Sequence, residues 1–393
     1  MKLFLNDCGI VCALGDSIAE VRRRLFAGES GVAPTTQWSP GRELPLGRVL
    51  SALPDVSRRP LADRSRNNQL ALAALAQIRA SVDAAIAHYG AHRVGVVVGT
   101  STSGVSETEA AMAEHVRGDG MPESFHYAQQ EMGAPAVMLA RELGVTGPAY
   151  VHSSACASGA KALASAARLI KMGLCDAVVT GGVDSLCAFT VAGFSALESV
   201  SPVRCNPLSA NRNGINIGEG AALFLMTREA AAVALCGWGE ASDGHHMSAP
   251  DPAGSGARIA IAEALARAGI TPDQIDYINL HGTATVQNDA MESRVLADMF
   301  GNAVAVSSTK PLTGHALGAA AALEAAFCWL AMQDENADGL LPPHLWDGAA
   351  DSALPPLNTV TTGARLGRPL AWALSNSFAF GGSNAALVLG RAS

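Results

Sequence analysis

Short apolar runs alternate with longer alanine-rich stretches along most of the chain. Residues 94–98, 177–180, 221–226, 277–280, 304–307, 370–374 and 385–389 are apolar with little alternation and are bounded by glycine or polar residues. That is the pattern of strands buried on both faces. Between them, residues 70–89, 158–172, 256–268, 290–299 and 316–332 read as helices, and Thr271-Pro272-Asp273 breaks the chain after the third. Buried strands alternating with helices predict an α/β fold whose parallel sheet carries helices on its faces. Residues 336–366, with their prolines and polar residues, are the single long loop expected. The pattern changes around 237–256, so an N-terminal half (1–240) and a C-terminal half (241–393) are expected.

Composition narrows the class. A chain of 393 residues, 49% hydrophobic and 16% charged, buries a large core without disulfides or metals and is not disordered. The formal charge of −8 leaves no basic surplus for phosphates, so nucleic acid is not an expected partner. Only four basic residues are lysines (Lys2, Lys161, Lys171, Lys310), which makes a lysine inside a motif noteworthy. Eight cysteines without CxxC spacing point to reduced thiols in a cytoplasmic protein, and neither a disulfide framework nor a metal site is expected. Asn6 and Asp7 end the N-terminal apolar run too early for a signal peptide. The stretch 316–332 contains Glu324 and is short for a membrane span, so none is expected.

Four segments carry candidate chemistry. In His152-Ser-Ser-Ala-Cys156-Ala-Ser-Gly, a cysteine among small residues sits at the start of a helix, where the macrodipole favours a thiolate. Taken alone, it reads equally as an inert buried thiol. In His281-Gly-Thr283-Ala-Thr285, a histidine follows a strand, where α/β proteins place their ligands, although a histidine bonded within a loop has the same pattern. In Lys310-Pro-Leu-Thr-Gly-His315, His315 stands at a helix start that disfavours its protonation. Glu324 follows about two and a half turns later, so it is expected to meet Lys310 or a backbone group and not His315. Asn376-Ser-Phe378-Ala-Phe380-Gly-Gly suits a loop whose amides face an oxyanion and whose rings gate a pocket, or a plain turn. One cysteine, two histidines and a lysine are neither a protease triad nor spaced as metal ligands. Two neutral imidazoles donating to one carbonyl oxygen would stabilise an enolate.

With these segments in this order, the chain resembles the β-ketoacyl-acyl carrier protein synthases, elongating condensing enzymes of the thiolase superfamily. The resemblance runs over essentially the whole sequence. It implies a layered αβαβα fold of two pseudo-symmetric halves and a dimer joined through sheet edges. It also implies catalysis of decarboxylative Claisen condensation without a cofactor, the substrates arriving on the phosphopantetheine arm of an acyl carrier protein. On this resemblance Cys156 takes the acyl chain, while His281 and His315 bind the malonyl thioester carbonyl. The amides of Cys156 and Phe380 form the oxyanion hole, and Phe380 also gates the pocket. Lys310 tunes the histidines, with Glu324 as its partner. Thr283 and Thr285 bind the phosphopantetheine arm, Thr102 and Phe378 line the acyl site, and Arg64, Arg66 and Arg204 dock the carrier. Residues 243–250 match a mobile loop beside the mouth of the site.

The sequence departs from the family pattern at Arg212-Asn213-Gly214-Ile215, where Arg-Asp-Gly-Phe is common, at Ala379 in place of a glycine, and at Thr102 in place of a larger apolar residue. These departures favour a specialised pathway, an aryl-polyene or other polyketide-type product, over housekeeping fatty-acid synthesis. The partner is then either a second copy or a homologous subunit, as in a ketosynthase and chain-length-factor heterodimer. A non-catalytic chain-length subunit would usually lack Cys156, and a thiolase or initiating synthase would not pair its cysteine with two histidines.

Overall fold

The computed structural model describes residues 2–392. Its strands are β1 (Leu3–Cys12), β2 (Val32–Thr35), β3 (Leu44–Gly47), β4 (Val94–Gly99), β5 (Ala149–His152), β6 (Ala177–Asp184), β7 (Gly220–Thr227), β8 (Val233–Ser242), β9 (Tyr277–Asn279), β10 (Ala305–Ser307), β11 (Asn358–Thr359), β12 (Trp372–Ala379) and β13 (Ser383–Arg391). The helices are α1 (Ile18–Ala27), α2 (Arg66–Tyr89), α3 (Val105–Glu114), α4 (Ala134–Leu143), α5 (Ser158–Lys171), α6 (Ala188–Ala196), α7 (Ser255–Ala268), α8 (Val286–Phe300), α9 (Lys310–Thr313) and α10 (Ala320–Ala331).

All strands except the β2–β3 hairpin join one sheet, in the order β11-β10-β9-β12-β13-β8-β1-β7-β6-β4-β5. The order repeats itself. From the centre outward, β1-β7-β6-β4-β5 and β8-β13-β12-β9-β10 have the same connectivity and the same directions: two antiparallel pairings, then two parallel ones. The two series meet at β1–β8 through Leu3↔Leu235 and Phe4↔Ala234.

Three apolar clusters complete the layering. One joins α5 and α10 to the facing sides of both half-sheets, with Ala160, Leu163 and Ala167 set against Ala322, Ala326 and Leu330. A second packs α2 and α4 on the far side of the first half, and a third packs α7 and α8 on the far side of the second. The result is five layers, αβαβα.

The sheet is mixed, not purely parallel as the sequence pattern predicts. Helices cover both faces, so antiparallel strands such as β7 and β13 are as continuously apolar as parallel ones. Six strands were not expected: β1, β5, β8, the two-residue β11 and the β2–β3 hairpin. The polar break at Asn6-Asp7 in β1 is a bulge, where the Asp7 carboxylate takes the Cys8 amide and the Ser81 hydroxyl. The short edge strand β5 is half-exposed along its length. In β8, a Cβ on Gly237 or Gly239 would lie 2.0 or 1.8 Å from the Ala264 or Ala260 carbonyl oxygen of α7. Those glycines let the helix lie directly on the strand, and they account for the change in pattern there. A boundary at 240/241 would cut β8; the topological repeat begins at Val233.

By length and composition α2 could cross a membrane, but its Leu70, Leu75, Ile78 and Val82 are buried in the second cluster. The long loop ahead of β12 is present as expected, broken among described residues by a 3-10 turn at Asp334–Asn336 and by β11.

Candidate active site

The four motifs converge from both halves. Cys156 lies between β5 and α5, in a turn that puts Ala155 at φ 46°. A non-glycine residue there is strained. Ser158 holds the turn, accepting from the Ser154 amide (2.8 Å) and donating to the Ala155 carbonyl (2.6 Å). The thiol is 4% exposed, and His315 Nε2 lies 2.9 Å from its sulfur. Burial pushes the thiol up to about 12, against the pull of the Lys310 charge and the Phe380 amide. The helix start therefore does not leave a resting thiolate, as its dipole alone would predict; the sulfur sits as a thiol beside an imidazole.

His281 follows β9, and its ring meets those of His315 (centroids 5.4 Å apart) and Phe378 (6.1 Å), both edge-on. Its loop hangs on Glu292 of α8, whose carboxylate accepts the His281 and Gly282 amides at 2.8 and 2.7 Å. Asp289, one turn earlier, accepts the Ala284 amide at 3.2 Å and the Leu208 amide at 2.8 Å. Gly282 is required here: its φ is 38°, and a Cβ would stand 2.6 Å from that of Ser308.

His315 is fixed through its backbone from the first half, its amide donating to the Asn216 carbonyl at 2.6 Å and its carbonyl accepting from Gly218 at 2.9 Å. Three residues on, the Gly318 amide donates to Asp184 at the end of β6 at 2.6 Å. Asp184 also accepts from the hydroxyls of Thr100, Ser101 and Thr102 and from the amides of Ser101 and Thr102. Burial raises this carboxyl despite those donors.

Lys310 is buried, with Nζ donating to Glu324 Oε1 at 2.5 Å and to the His281 carbonyl. Of the two partners that helix spacing left to Glu324, Lys310 or a backbone group, the structure has Lys310, the pairing that the resemblance implies. Burial, and after it the Lys310 charge, hold both imidazoles well below their ordinary pKa, with His315 adding to the effect on His281. Both rings are neutral at pH 7. Burial lifts Glu292 and Glu324 to about 7. The other oxygen of the Glu324 carboxylate, Oε2, has no protein partner.

A pocket opens in front of Cys156, His281 and His315. Thr283 and Thr285 form part of its wall, their hydroxyls 2.9 Å apart. Phe378 and Phe380 line it too, with Phe194 of α6 stacked 5.5 Å from Phe380. The Phe380 loop is tied to residues 243–251: Gly381 donates to the Met247 carbonyl, Asp243 to the Gly382 carbonyl, and Asn384 to the Asp243 carboxylate.

Two expected positions are placed elsewhere. The Thr102 hydroxyl is 3.0 Å from Asp184 and is not in the wall of this pocket. Arg66 is paired with the fully buried Glu219 (2.8 and 2.5 Å) and donates to the Val49 carbonyl, so an internal carboxylate already balances its charge. Arg64 donates to the Arg59 carbonyl and is half-buried; Arg204 is exposed. Sequence reasoning missed Asp184, Asp289, Glu292 and Phe194. Glu292 and Asp289 look like polar-face residues of an amphipathic helix, although their spacing after His281 turns them back toward its loop.

Comparison with known proteins agrees with this geometry. Residues 8–232 match the family described as "Beta-ketoacyl synthase, N-terminal domain", and residues 232–345 its C-terminal domain. Nodulation protein E of Rhizobium sp. (strain N33) is 31% identical over 98% of both chains. 3-Oxoacyl-[acyl-carrier-protein] synthase 2 of Coxiella burnetii is 30% identical over 99% of this chain and 98% of its own. A ketosynthase of Xenorhabdus doucetiae, solved in complex with its chain length factor, superposes with a TM-score of 0.93 at 44% identity, covering 100% of this chain and 98% of that one. A fold of repeated halves with a cysteine from one and two histidines from the other is thus matched by sequence along nearly its whole length, and the chain belongs to the β-ketoacyl-acyl carrier protein synthases, acyltransferase-class condensing enzymes of the thiolase superfamily.

Proposed function

We propose that this chain is the catalytic ketosynthase of a polyketide-type elongation system, working beside a homologous chain-length subunit and fed by an acyl carrier protein. The contact between Cys156 Sγ and His315 Nε2, with His281 at the same pocket, carries the catalytic reading. Cys156 attacks the acyl thioester while its proton passes to the imidazole, and the amides of Cys156 and Phe380 hold the developing oxyanion. The carrier thiol leaves with that proton. A malonyl thioester then enters along Thr283 and Thr285. Its carbonyl oxygen accepts from the N–H groups of the two neutral imidazoles, which stabilise the enolate formed as carbon dioxide leaves. The enolate carbon attacks the acyl carbonyl, and collapse of the tetrahedral intermediate expels the Cys156 thiolate, which takes a proton from solvent to restore the thiol. Lys310, anchored by Glu324, adds to burial in keeping both imidazoles neutral and fixes the His281 loop.

The chain-length partner is supported by the 44% identity to a ketosynthase solved with its chain length factor. The departures at Asn213, Thr102 and Ala379 and the open edge of β5 point the same way. The exposed Arg204 is the candidate docking arginine. The eight free cysteines suit a reducing cytoplasm.

The test is intact-protein mass spectrometry after incubation with a panel of acyl carrier proteins. Acyl adducts should form on Cys156 and vanish in Cys156→Ala; adducts at the same rate in that variant would refute the nucleophile. Native mass spectrometry of the chain with a cysteine-less homologue from the same source should give a 1:1 complex. A homodimer that excludes the homologue would refute the partner.

A further inference from the structure

The Cys156 sulfur and one ring nitrogen each from His281 and His315 lie within 4.8 Å of one another, all three residues buried. Their wide separation along the chain hides this grouping; the fold creates it by bringing the end of β5, the end of β9 and the turn before α10 to one point. One thiol sulfur and two imidazole nitrogens form a soft-to-borderline donor set, which selects zinc-class ions over magnesium or calcium. Tetrahedral bonds of about 2.3 Å to sulfur and about 2.0–2.1 Å to nitrogen place sulfur and nitrogen roughly 3.5 Å apart. The 2.9 Å separation of Cys156 Sγ and His315 Nε2 must therefore open by about half an ångström, while the wider pairs close by about an ångström or so. The remaining position faces the pocket lined by Phe378 and Phe380.

We propose that the unacylated enzyme captures one zinc-class divalent cation through Cys156, His281 and His315, with water as fourth ligand, and that this capture and acyl loading exclude each other. On binding, the thiol proton passes to solvent and the freed sulfur lone pair forms the metal bond; nothing is oxidised or reduced. A thioester at Cys156 lacks that anionic donor, so the acyl-enzyme is protected. Ligating histidines in resident metal sites pass their second ring N–H to a carboxylate or carbonyl, whereas Nδ1 of both His281 and His315 has no partner. The capture is therefore weaker than at a structural zinc site and inhibitory in effect.

The test titrates the full chain, stripped of any affinity tag, with Co2+ in metal-free buffer and follows the sulfur-to-cobalt charge-transfer band and the tetrahedral ligand-field bands. One equivalent should give both, Zn2+ should displace it, and protein acylated or alkylated at Cys156 should give neither. Cys156→Ser should lose the charge-transfer band, and His315→Gln should weaken binding at least tenfold. An unchanged band in Cys156→Ser, or no thiolate band in the wild type, overturns the proposal. Acyl loading is read separately by mass in the absence of metal. Loading without cobalt capture refutes the metal site alone; capture without loading refutes the ketosynthase reading and leaves the metal site standing.

Discussion

Asp184 Oδ2 accepts the Gly318 amide at 2.6 Å, joining the end of β6 in the first half to the turn that follows His315 in the second. The same carboxylate collects five further donors from residues 100–102. One buried acid thus sets the height of the His315 turn, where Leu317 stands at φ 47°. Asp184→Asn keeps the size but presents an amide N–H to a ring of donors. It should cost about 1–3 kcal/mol in denaturant unfolding. It should also slow malonyl decarboxylation more than acyl loading of Cys156, because His315 moves. Equal loss of the two half-reactions would refute the link to His315.

The neutral histidines set a pH dependence. Their folded pKa values lie below the ordinary 6.5, so the unfolded chain takes up protons first as pH falls. Their contribution to stability is complete above 6.5 and declines below it, by up to about 1.4 kcal/mol per pH unit for each ring. Glu292 and Glu324, lifted to about 7, act oppositely: their contribution is complete below about 4.5 and is lost as pH rises toward 7. Catalysis separates the two effects. The acid limb of malonyl decarboxylation should fall well below pH 6.5, and a limb at 6.5 in the pH–kcat profile would contradict a neutral pair held by burial.

Lys310→Met leaves Glu324 alone in the interior. Removing one partner of a buried pair costs about 3–5 kcal/mol. Because the Glu324 carboxyl already sits near 7, protonation relieves part of that cost. The loss should be smaller at pH 6 than at pH 8. Lys310→Met combined with Glu324→Gln should recover stability without recovering condensation, and a double variant with normal condensation would remove Lys310 from the mechanism.

Gly282→Ala touches no reacting group, yet it forces a Cβ to within 2.6 Å of Ser308 Cβ at a φ of 38°. Strain of about 1–3 kcal/mol is expected. Condensation should fall with it, as the His281 ring is displaced, while alkylation of Cys156 continues. Unchanged turnover with malonyl substrate would show that the loop relaxes without moving the ring.

The site was readable in the sequence wherever a reactive side chain sits beside glycine at the end of an element, as at His281-Gly282 after β9 and Gly314-His315 after α9. Lys310 stood out because lysine is rare in this chain. Helical spacing left Glu324 to Lys310 or a backbone group, and the 2.5 Å contact makes Lys310 the partner. The supporting acids were not readable. Asp184 looks like the end of a strand and Glu292 like a helix surface, because the groups they bind are distant backbone amides that leave no trace in local pattern. The Arg66 pairing was hidden for the same reason: its partner, Glu219, lies 153 positions away, so an arginine that reads as a free surface charge is held by a buried carboxylate. Strand direction was hidden for lack of contrast, since layers on both faces remove the alternation that would mark an antiparallel pair.

The half-exposed β5 ends the sheet, and its outer hydrogen-bonding side is open among the described residues. The opposite edge is blunted by β11, only two residues long. An open edge is a template for unwanted strand pairing. Purified by itself, the chain is therefore expected to self-associate or precipitate, with β5 the first segment to pair wrongly. Yield of clean protein should depend on making it together with whatever subunit normally covers that strand.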